Sequence, residues 1–309
     1  MTREVTVRAP GKLNLQLSVG RKQEDGYHPL ATVFQAVDLY ETVTATLRDD
    51  PEFTIELTML PTVNAEPGAV PLDESNLVIR AARAVAARYG VTAGVHLHIL
   101  KGVPVAGGMA GGSADAAAAL VACAEVWEVG ATRDELDELA SSLGADVPFA
   151  LHGHTAVGLG RGDELSPAMT HGEFHWVFAT QGHGLSTPAV YGEFDRQVTA
   201  GEHVVAEPRL SDSLMSALMA GDPHALGEAL ANDLQGPALV LAPHLEHTMD
   251  LAREAGALGV MISGSGPTVA ALARSRQHAL AIAAHLSAAG SADAVLTVTG
   301  PAPGATIIN

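Results

Sequence analysis

Polar and apolar residues alternate along two stretches near the start of the chain, residues 4–8 and 13–19. Alternation with period two is the signature of a strand. In the second stretch Leu13, Leu15, Leu17 and Val19 fall on one face. Three further runs, 33–37, 42–47 and 53–59, make the first third a set of short strands joined by polar turns. The turn-rich segment R-K-Q-E-D-G-Y-H-P ends in Tyr27 and His28, and residues 60–74, with prolines at 61, 67 and 71, read as loop. The period then changes. Leu77, Ala81, Ala82 and Val85 recur at helical spacing within 76–88, and Gly90 supplies a stop. A strand over 95–100 carries His96 and His98 on one face; with no third ligand in view they read as solvent-facing, not as a metal site.

Residues 116–127 predict an alanine-rich helix, and Thr132 with Glu135 gives capping-box spacing for another that Gly144 ends. A glycine-rich turn at 158–164 suits a domain boundary and divides the chain into residues 1–165 and 166–309. Beyond it, strands are expected over 175–179, 260–262 and 294–298, and helices over 187–194, 210–220, 225–230, 243–255 and 277–288. Helices and strands mixed in this way predict an α+β fold.

Composition narrows the function classes. The chain of 309 residues is long enough for two ordinary domains, and its core is aliphatic, at 47% hydrophobic but only 4% aromatic. A formal net charge of -18 argues against nucleic acid or an anionic membrane as partner, and no apolar run has the length of a membrane span. The single cysteine, Cys123, excludes an internal disulfide. The N-terminus reads as a strand and not as a signal peptide, so a cytoplasmic protein is expected. Lysine occurs only at Lys12, Lys22 and Lys101, so a lysine beside a motif carries information.

The candidate chemistry begins at P-V-A-G-G-M-A-G-G-S, residues 104–113, just before the alanine-rich helix. Glycines at 107, 108, 111 and 112 let the backbone approach a ligand, and a helix N-terminus offers free N–H groups and the positive end of its dipole to an anion. Neither the Walker A lysine nor G-x-G-x-x-G is present, so this phosphate loop is of another kind. A-P-G-K at 9–12 and S-G-S-G-P-T at 263–268 are two further short motifs, and Asp146 sits in A-D-V-P-F at 145–149.

Together these stretches resemble the motifs of the GHMP small-molecule kinases. A-P-G-K-L-N-L is similar to the first family motif, P-V-A-G-G-M-A-G-G-S to the second and S-G-S-G-P-T to the third. Within that family, G-Y-H-P-L-A-T-V-F-Q-A-V-D-L at 26–39, L-G-A-D-V-P-F at 143–149 and S-T-P-A-V-Y at 186–191 resemble the kinases of 4-diphosphocytidyl-2-C-methyl-D-erythritol, a cytidine diphosphate methylerythritol of the non-mevalonate isoprenoid pathway. The resemblance implies a two-domain GHMP kinase fold: an N-terminal domain like ribosomal protein S5 domain 2 and a ferredoxin-like C-terminal domain. It also implies ATP and Mg²⁺ as cofactors, a small-molecule substrate, and a monomer or homodimer.

Residue by residue, the resemblance assigns the ATP phosphates to Pro104, Val105, Ala106, Gly107, Gly108, Met109, Ala110, Gly111, Gly112 and Ser113. Ser113 is also the expected Mg²⁺ contact, or else a helix N-cap. Asn76 and Lys101 flank the adenosine side. Asp146 is the expected base for the acceptor hydroxyl, and Lys12 the ammonium that holds it ionised. Tyr27, His28 and Tyr191 are expected around the cytosine, with Asn14 and Thr187 lining the cleft and Phe34 divided between cleft and core. Ala106 and Ala110 stand where the family has glycine, and Asp115 where asparagine is usual. Asp115 is expected in the first helical turn, facing solvent. Other kinases of the family and a non-catalytic sensor are the alternatives; a Ser–His hydrolase lacks its G-x-S-x-G elbow.

Overall fold

The computed structural model describes residues 3–63 and 68–309. Met1, Thr2 and Pro67 lie outside the described residues. In chain order the elements are β1 (Glu4–Val19), β2 (Leu30–Leu47), β3 (Phe53–Met59), α1 (Leu77–Tyr89), β4 (Val95–Lys101), α2 (Gly111–Val126), α3 (Arg133–Leu143), α4 (Val147–His152), β5 (Thr155–Leu159) and β6 (Glu164–Pro167). There follow β7 (Phe174–Thr180), α5 (Thr187–Thr199), α6 (Asp212–Ala220), α7 (Pro223–Ala229), β8 (Ala231–Asn232), α8 (Gln235–Leu241), α9 (His244–Glu254), β9 (Gly259–Ile262), β10 (Val269–Ala273), α10 (Arg276–Ala289), β11 (Ala294–Gly300) and β12 (Thr306–Ile307).

Two sheets organise these elements. The first has the path β12-β1-β2-β4-β3, with β5 and β6 continuing from β2 and β8 set beside β1. The second is antiparallel with order β11-β7-β10-β9, the ferredoxin-like arrangement of four strands with helices between them. The expected α+β, two-domain architecture is therefore present. The aliphatic helices α1 and α2 close one face of the first sheet, where Val43, Leu97 and Ile99 meet Val78, Val85, Ala117 and Leu120.

Several boundaries differ from those the sequence predicts. A-P-G-K was expected to break the chain, yet β1 runs through it, with Ala9 opposite Glu41 and Lys12 opposite Ala36. Pro10, which has no N–H to donate, sits where the register shifts between Pro10 and Gly11. A second shift lies between Asn14 and Gln16. One extra residue in a strand redirects every side chain beyond it. Hence Leu13 and Leu15 pack with Trp176 and Phe178, whereas Leu17 and Val19 pack with Val177 and Phe194, in a separate cluster.

The helix expected from residue 116 begins at Gly111, so two loop glycines and Ser113 form its first turn. Residues after Asp146 form the short helix α4, favoured by Pro148 near its start.

Candidate active site

The glycine loop joins β4 to α2. Caps distinguish α2 from its neighbours: Asn76 caps α1 and Thr132 caps α3, but Ala110 precedes α2 and has no side-chain acceptor. Ser113 N and Ala114 N donate to Ala110 O at 3.0 Å each, so the N–H groups of Gly111 and Gly112 are the ones left for a ligand. Ser113 lies inside the turn, so it is not the N-cap, and its hydroxyl is free of that duty. Ala106 (φ 52) and Ala110 (φ 56) are left-handed, the conformation that costs an alanine roughly 1–2 kcal/mol and glycine little. That cost gives a physical reason for the glycine that the family resemblance leads one to expect at these positions.

The loop is pinned from two sides. Lys12 N donates to Met109 O at 3.1 Å, and Ser263 Oγ donates to Gly108 O at 3.1 Å. A Cβ on Gly108 would lie 2.1 Å from Ser263 O. The third motif thus packs directly on the second. Its Gly264 faces Lys12 and Asn14: a Cβ there would come within 3.3 Å of Lys12 Nζ and 3.2 Å of Asn14 Oδ1. The Met109 side chain is buried in the core, so only its backbone belongs to the loop surface.

A cavity of about 630 Å³ opens over the loop, lined by Lys12, Asn14, Phe34, Gly107, Gly108, Gly111, Gly112, Ser113, Asp146, Thr187 and Tyr191 among others. Lys12 and Asn14 project from β1, while Asp146 enters from the α3–α4 junction. Burial lowers the Lys12 pKa from its ordinary value, and the charge of Asp146 opposes that shift. Burial, with a smaller push from Asp146, raises the Tyr191 hydroxyl to about 12. Phe34 packs on Phe149 with centroids 4.9 Å apart and also lines the cavity, its ring 5.7 Å from Lys12 Nζ.

Two side cavities adjoin this one through different residues. One, of about 710 Å³, contains Tyr27, His28, Thr187, Tyr191, Arg161 and Asp195. Tyr27 is 53% exposed, and Arg161 covers one face of its ring at 3.7 Å from the centroid. His28 Nε2 is 2.8 Å from Asp195 Oδ1, and its ring packs 5.0 Å from Tyr191. The other side cavity, of about 190 Å³, contains Asn76, Lys101, Pro104, Val105, Ala106 and Asp115. Both ends of the Asn76 amide are engaged there: Oδ1 accepts from Val78 N at 2.8 Å and Nδ2 donates to Pro71 O at 2.6 Å.

Lys101 is likewise engaged. The residue is 2% exposed, and its ammonium donates to Glu41 Oε1 and, at 2.6 Å, to Asp115 Oδ2. Asp115 is therefore buried beneath the loop and not solvated on the first turn, because the side chain at that helical position points at the end of β4. Glu41 Oε2 accepts from Gly102 N at 2.9 Å. Burial and then the charge of Asp115 push the Glu41 carboxyl up to about 8, against the pull of Lys101. A Cβ on Gly111 would lie 2.7 Å from Glu41 Oε1, so this buried triad fixes how closely the loop approaches β2.

The structure thus brings Lys12, Asn14, Phe34, Asp146, Thr187, Tyr191 and most of the loop to one cavity, sets Tyr27 and His28 in the adjoining one, and leaves Val105, Asn76 and Lys101 in the third, the polar atoms of the last two already paired. Sequence reading missed Glu41, Arg161, Asp195 and Thr32. Glu41 had no distinguishing signal, because Gln35, Asp38 and Tyr40 precede it in the same strand. Arg161 had none, lying in a turn read only as a boundary.

An uncapped helix N-terminus with a lysine and a carboxylate in the same cavity suits a phosphotransferase, and sequence relations agree. The chain belongs to the GHMP kinase family: the family's N terminal domain matches residues 76–154 and its C terminal domain residues 214–292. The chain is 51% identical to a 4-diphosphocytidyl-2-C-methyl-D-erythritol kinase of Thermobifida fusca, over 98% of each chain. It is 50% identical to the same kinase of Streptomyces coelicolor, over 99% of each. The crystal structure of a 4-(cytidine 5'-diphospho)-2C-methyl-D-erythritol kinase superposes with a TM-score of 0.74 at 30% identity, covering 95% of this chain and 98% of that one. A homoserine kinase from Cytophaga hutchinsonii also gives 0.74, at 19% identity, and shares the fold.

Proposed function

We propose that this chain transfers the γ-phosphoryl group of ATP to the 2-hydroxyl of 4-diphosphocytidyl-2-C-methyl-D-erythritol, giving the 2-phosphate and ADP. It is a small-molecule kinase with an alcohol as acceptor, in the non-mevalonate route to isoprenoid precursors. The observation that carries the reading is one cavity holding Lys12, Asp146 and the uncapped N-terminus of α2. The side cavities enter it through different residues, so a donor from one and an acceptor from the other meet there.

The triphosphate lies along Gly107 to Ser113, where backbone N–H groups and the helix dipole meet its charge. Asp146 takes the proton of the acceptor hydroxyl as its oxygen bonds to the γ-phosphorus and the bond to the ADP oxygen breaks. The Lys12 ammonium steadies the carboxylate and the alkoxide-like oxygen between them. Tyr27 offers the free face of its ring to cytosine, a stacking worth about 1–3 kcal/mol. With His28 Nε2 engaged by Asp195, Nδ1 is the atom left for the cytosine amine.

Mg²⁺ keeps several waters and needs few protein oxygens beside the phosphates. Among the described residues no group of three His, Cys, Asp or Glu could hold a metal alone, which fits an ion carried mainly by ATP with the Ser113 hydroxyl beside it. Such an ion neutralises charge on the phosphate oxygens.

The division at 165/166 belongs to the same reading: β1–β5 lie in one sheet and β7, β9, β10 and β11 in the other, while β6 spans the boundary and β8 and β12 return to the first sheet. No helix among the described residues is long and apolar enough to cross a membrane, and the use of ATP supports a cytoplasmic site of action. Coupled ADP release measured with diphosphocytidyl methylerythritol, methylerythritol phosphate, homoserine and mevalonate tests the assignment. Turnover confined to the first compound is expected; preference for any other overturns it.

A further inference from the structure

Lys12 is held by a short chain of buried polar groups. Its Nζ donates to Asn14 Oδ1 at 2.6 Å, Asn14 Nδ2 donates to Thr32 Oγ1 at 2.8 Å, and Thr32 Oγ1 donates to Gln16 O at 2.7 Å. The register shift between Asn14 and Gln16 turns the Gln16 carbonyl onto this path, with Leu17 rather than Gln16 paired to Thr32. Each bond in the chain has only one workable polarity. A carbonyl oxygen only accepts, so the single hydroxyl proton of Thr32 is committed to Gln16 O. Thr32 Oγ1 can then only accept from Asn14, and the end of the amide facing it must be the NH₂. The carbonyl end is thereby turned toward Lys12. A flipped amide would set NH₂ against ammonium, and would leave Thr32 Oγ1 facing an oxygen with no proton between them.

We propose that Thr32 is a positioning residue for phosphoryl transfer: its hydroxyl fixes the orientation of the Asn14 amide, which holds the Lys12 ammonium in place beside Asp146. The inference deepens the kinase reading and rests on it for its catalytic consequence. Thr32 is buried in the wall of the cavity, with its hydroxyl spent on Asn14 and Gln16, so it acts on the reaction through Asn14 and Lys12. Asn14, expected from sequence to line the substrate cleft, here orients the lysine. One ammonium proton goes to Asn14, which leaves the others for Asp146 and the acceptor oxygen.

The test uses Thr32→Val, which keeps shape and removes the hydroxyl, and Thr32→Ser, which restores it. Thr32→Ala serves in place of the valine variant if that one does not fold. Two readouts keep this inference separate from the function it rests on. The first is steady-state kinetics with ATP and diphosphocytidyl methylerythritol. Displacing a catalytic group slightly costs roughly 10–100-fold in rate; kcat is expected to fall by that factor with both KM values within about twofold, and the serine variant to recover most of it. The second readout needs no turnover. With only Lys12, Lys22 and Lys101 in the chain, the lysine side-chain NMR signals can each be assigned. The Lys12 signal is expected to move in the valine variant and return in the serine variant, while those of Lys22 and Lys101 stay. A Lys12 signal unmoved in the folded valine or alanine variant overturns the proposal, as does unchanged kcat or a serine variant as impaired as the valine one. If the wild-type protein turns over no substrate, the kinase reading fails, while the lysine spectra still decide the positioning.

Discussion

Glu41→Gln should shift stability in favour of the variant as pH rises from 5 to 8.5. The carboxyl is fully buried, and its pKa is raised from 4.5 to about 8, first by burial and then by Asp115, with Lys101 opposing. Between those two values the folded state holds a proton that the unfolded chain has lost. Stability must therefore fall as pH climbs through that window, and level off above it. A displacement of that size corresponds to at most about 5 kcal/mol; sharing of the single ammonium with Asp115 reduces what Glu41 carries alone. We expect a few kcal/mol across the window. Glutamine keeps the shape and one acceptor, which serves either Gly102 N or Lys101; the bond lost is a cost that does not vary with pH, and Lys101 and Asp115 are left as a neutral pair. Urea unfolding of both proteins between pH 5 and 8.5 measures the difference. The stability of the glutamine variant relative to wild type should rise steadily with pH. A difference that stays constant, or falls, would refute the argument that burial dominates this triad.

Three substitutions probe the groove. Gly108→Ala places a Cβ 2.1 Å from Ser263 O at a φ of +76; the loop must move, so the KM for ATP should rise at least tenfold while the KM for the acceptor changes little. Tyr27→Ala removes a stacking platform worth about 1–3 kcal/mol, so steady-state kinetics should show the acceptor KM rising roughly 5–150-fold with the ATP KM unaffected. Gly264→Ala crowds Lys12 Nζ and Asn14 Oδ1 at a φ of +56. It should lower kcat without weakening nucleotide binding, read by titrating a fluorescent ATP analogue.

The extent to which sequence foretold the structure depended on the range of the cause. Local signals were dependable: Gly90 and Gly144 end α1 and α3, Thr132 caps α3 with its capping box, and the glycines at 107–112 mark the loop. The three motifs and Asp146 were legible because each is a short contiguous string. Causes that lie across the sheet were not. The continuation of β1 through Pro10 depends on pairing with β2, and the bulge near Leu15 that separates Leu13 from Leu17 has no marker in the residues themselves. Asp115 looked solvated because its partners, Glu41 and Lys101, are far away in sequence. Thr32 carries no mark in the sequence; only the polarity of its bonds to Asn14 and Gln16 gives it a part in the site.

The most direct measurement of the central claim is the rate of ADP release by Asp146→Asn in the presence of diphosphocytidyl methylerythritol. The asparagine keeps size and removes the proton acceptor. The account predicts loss of about 10²–10⁴ in kcat, with folding, ATP binding and the acceptor KM close to wild type. A variant that releases ADP at a near-normal rate would contradict it, because the hydroxyl proton would then have another destination than the carboxylate beside Lys12.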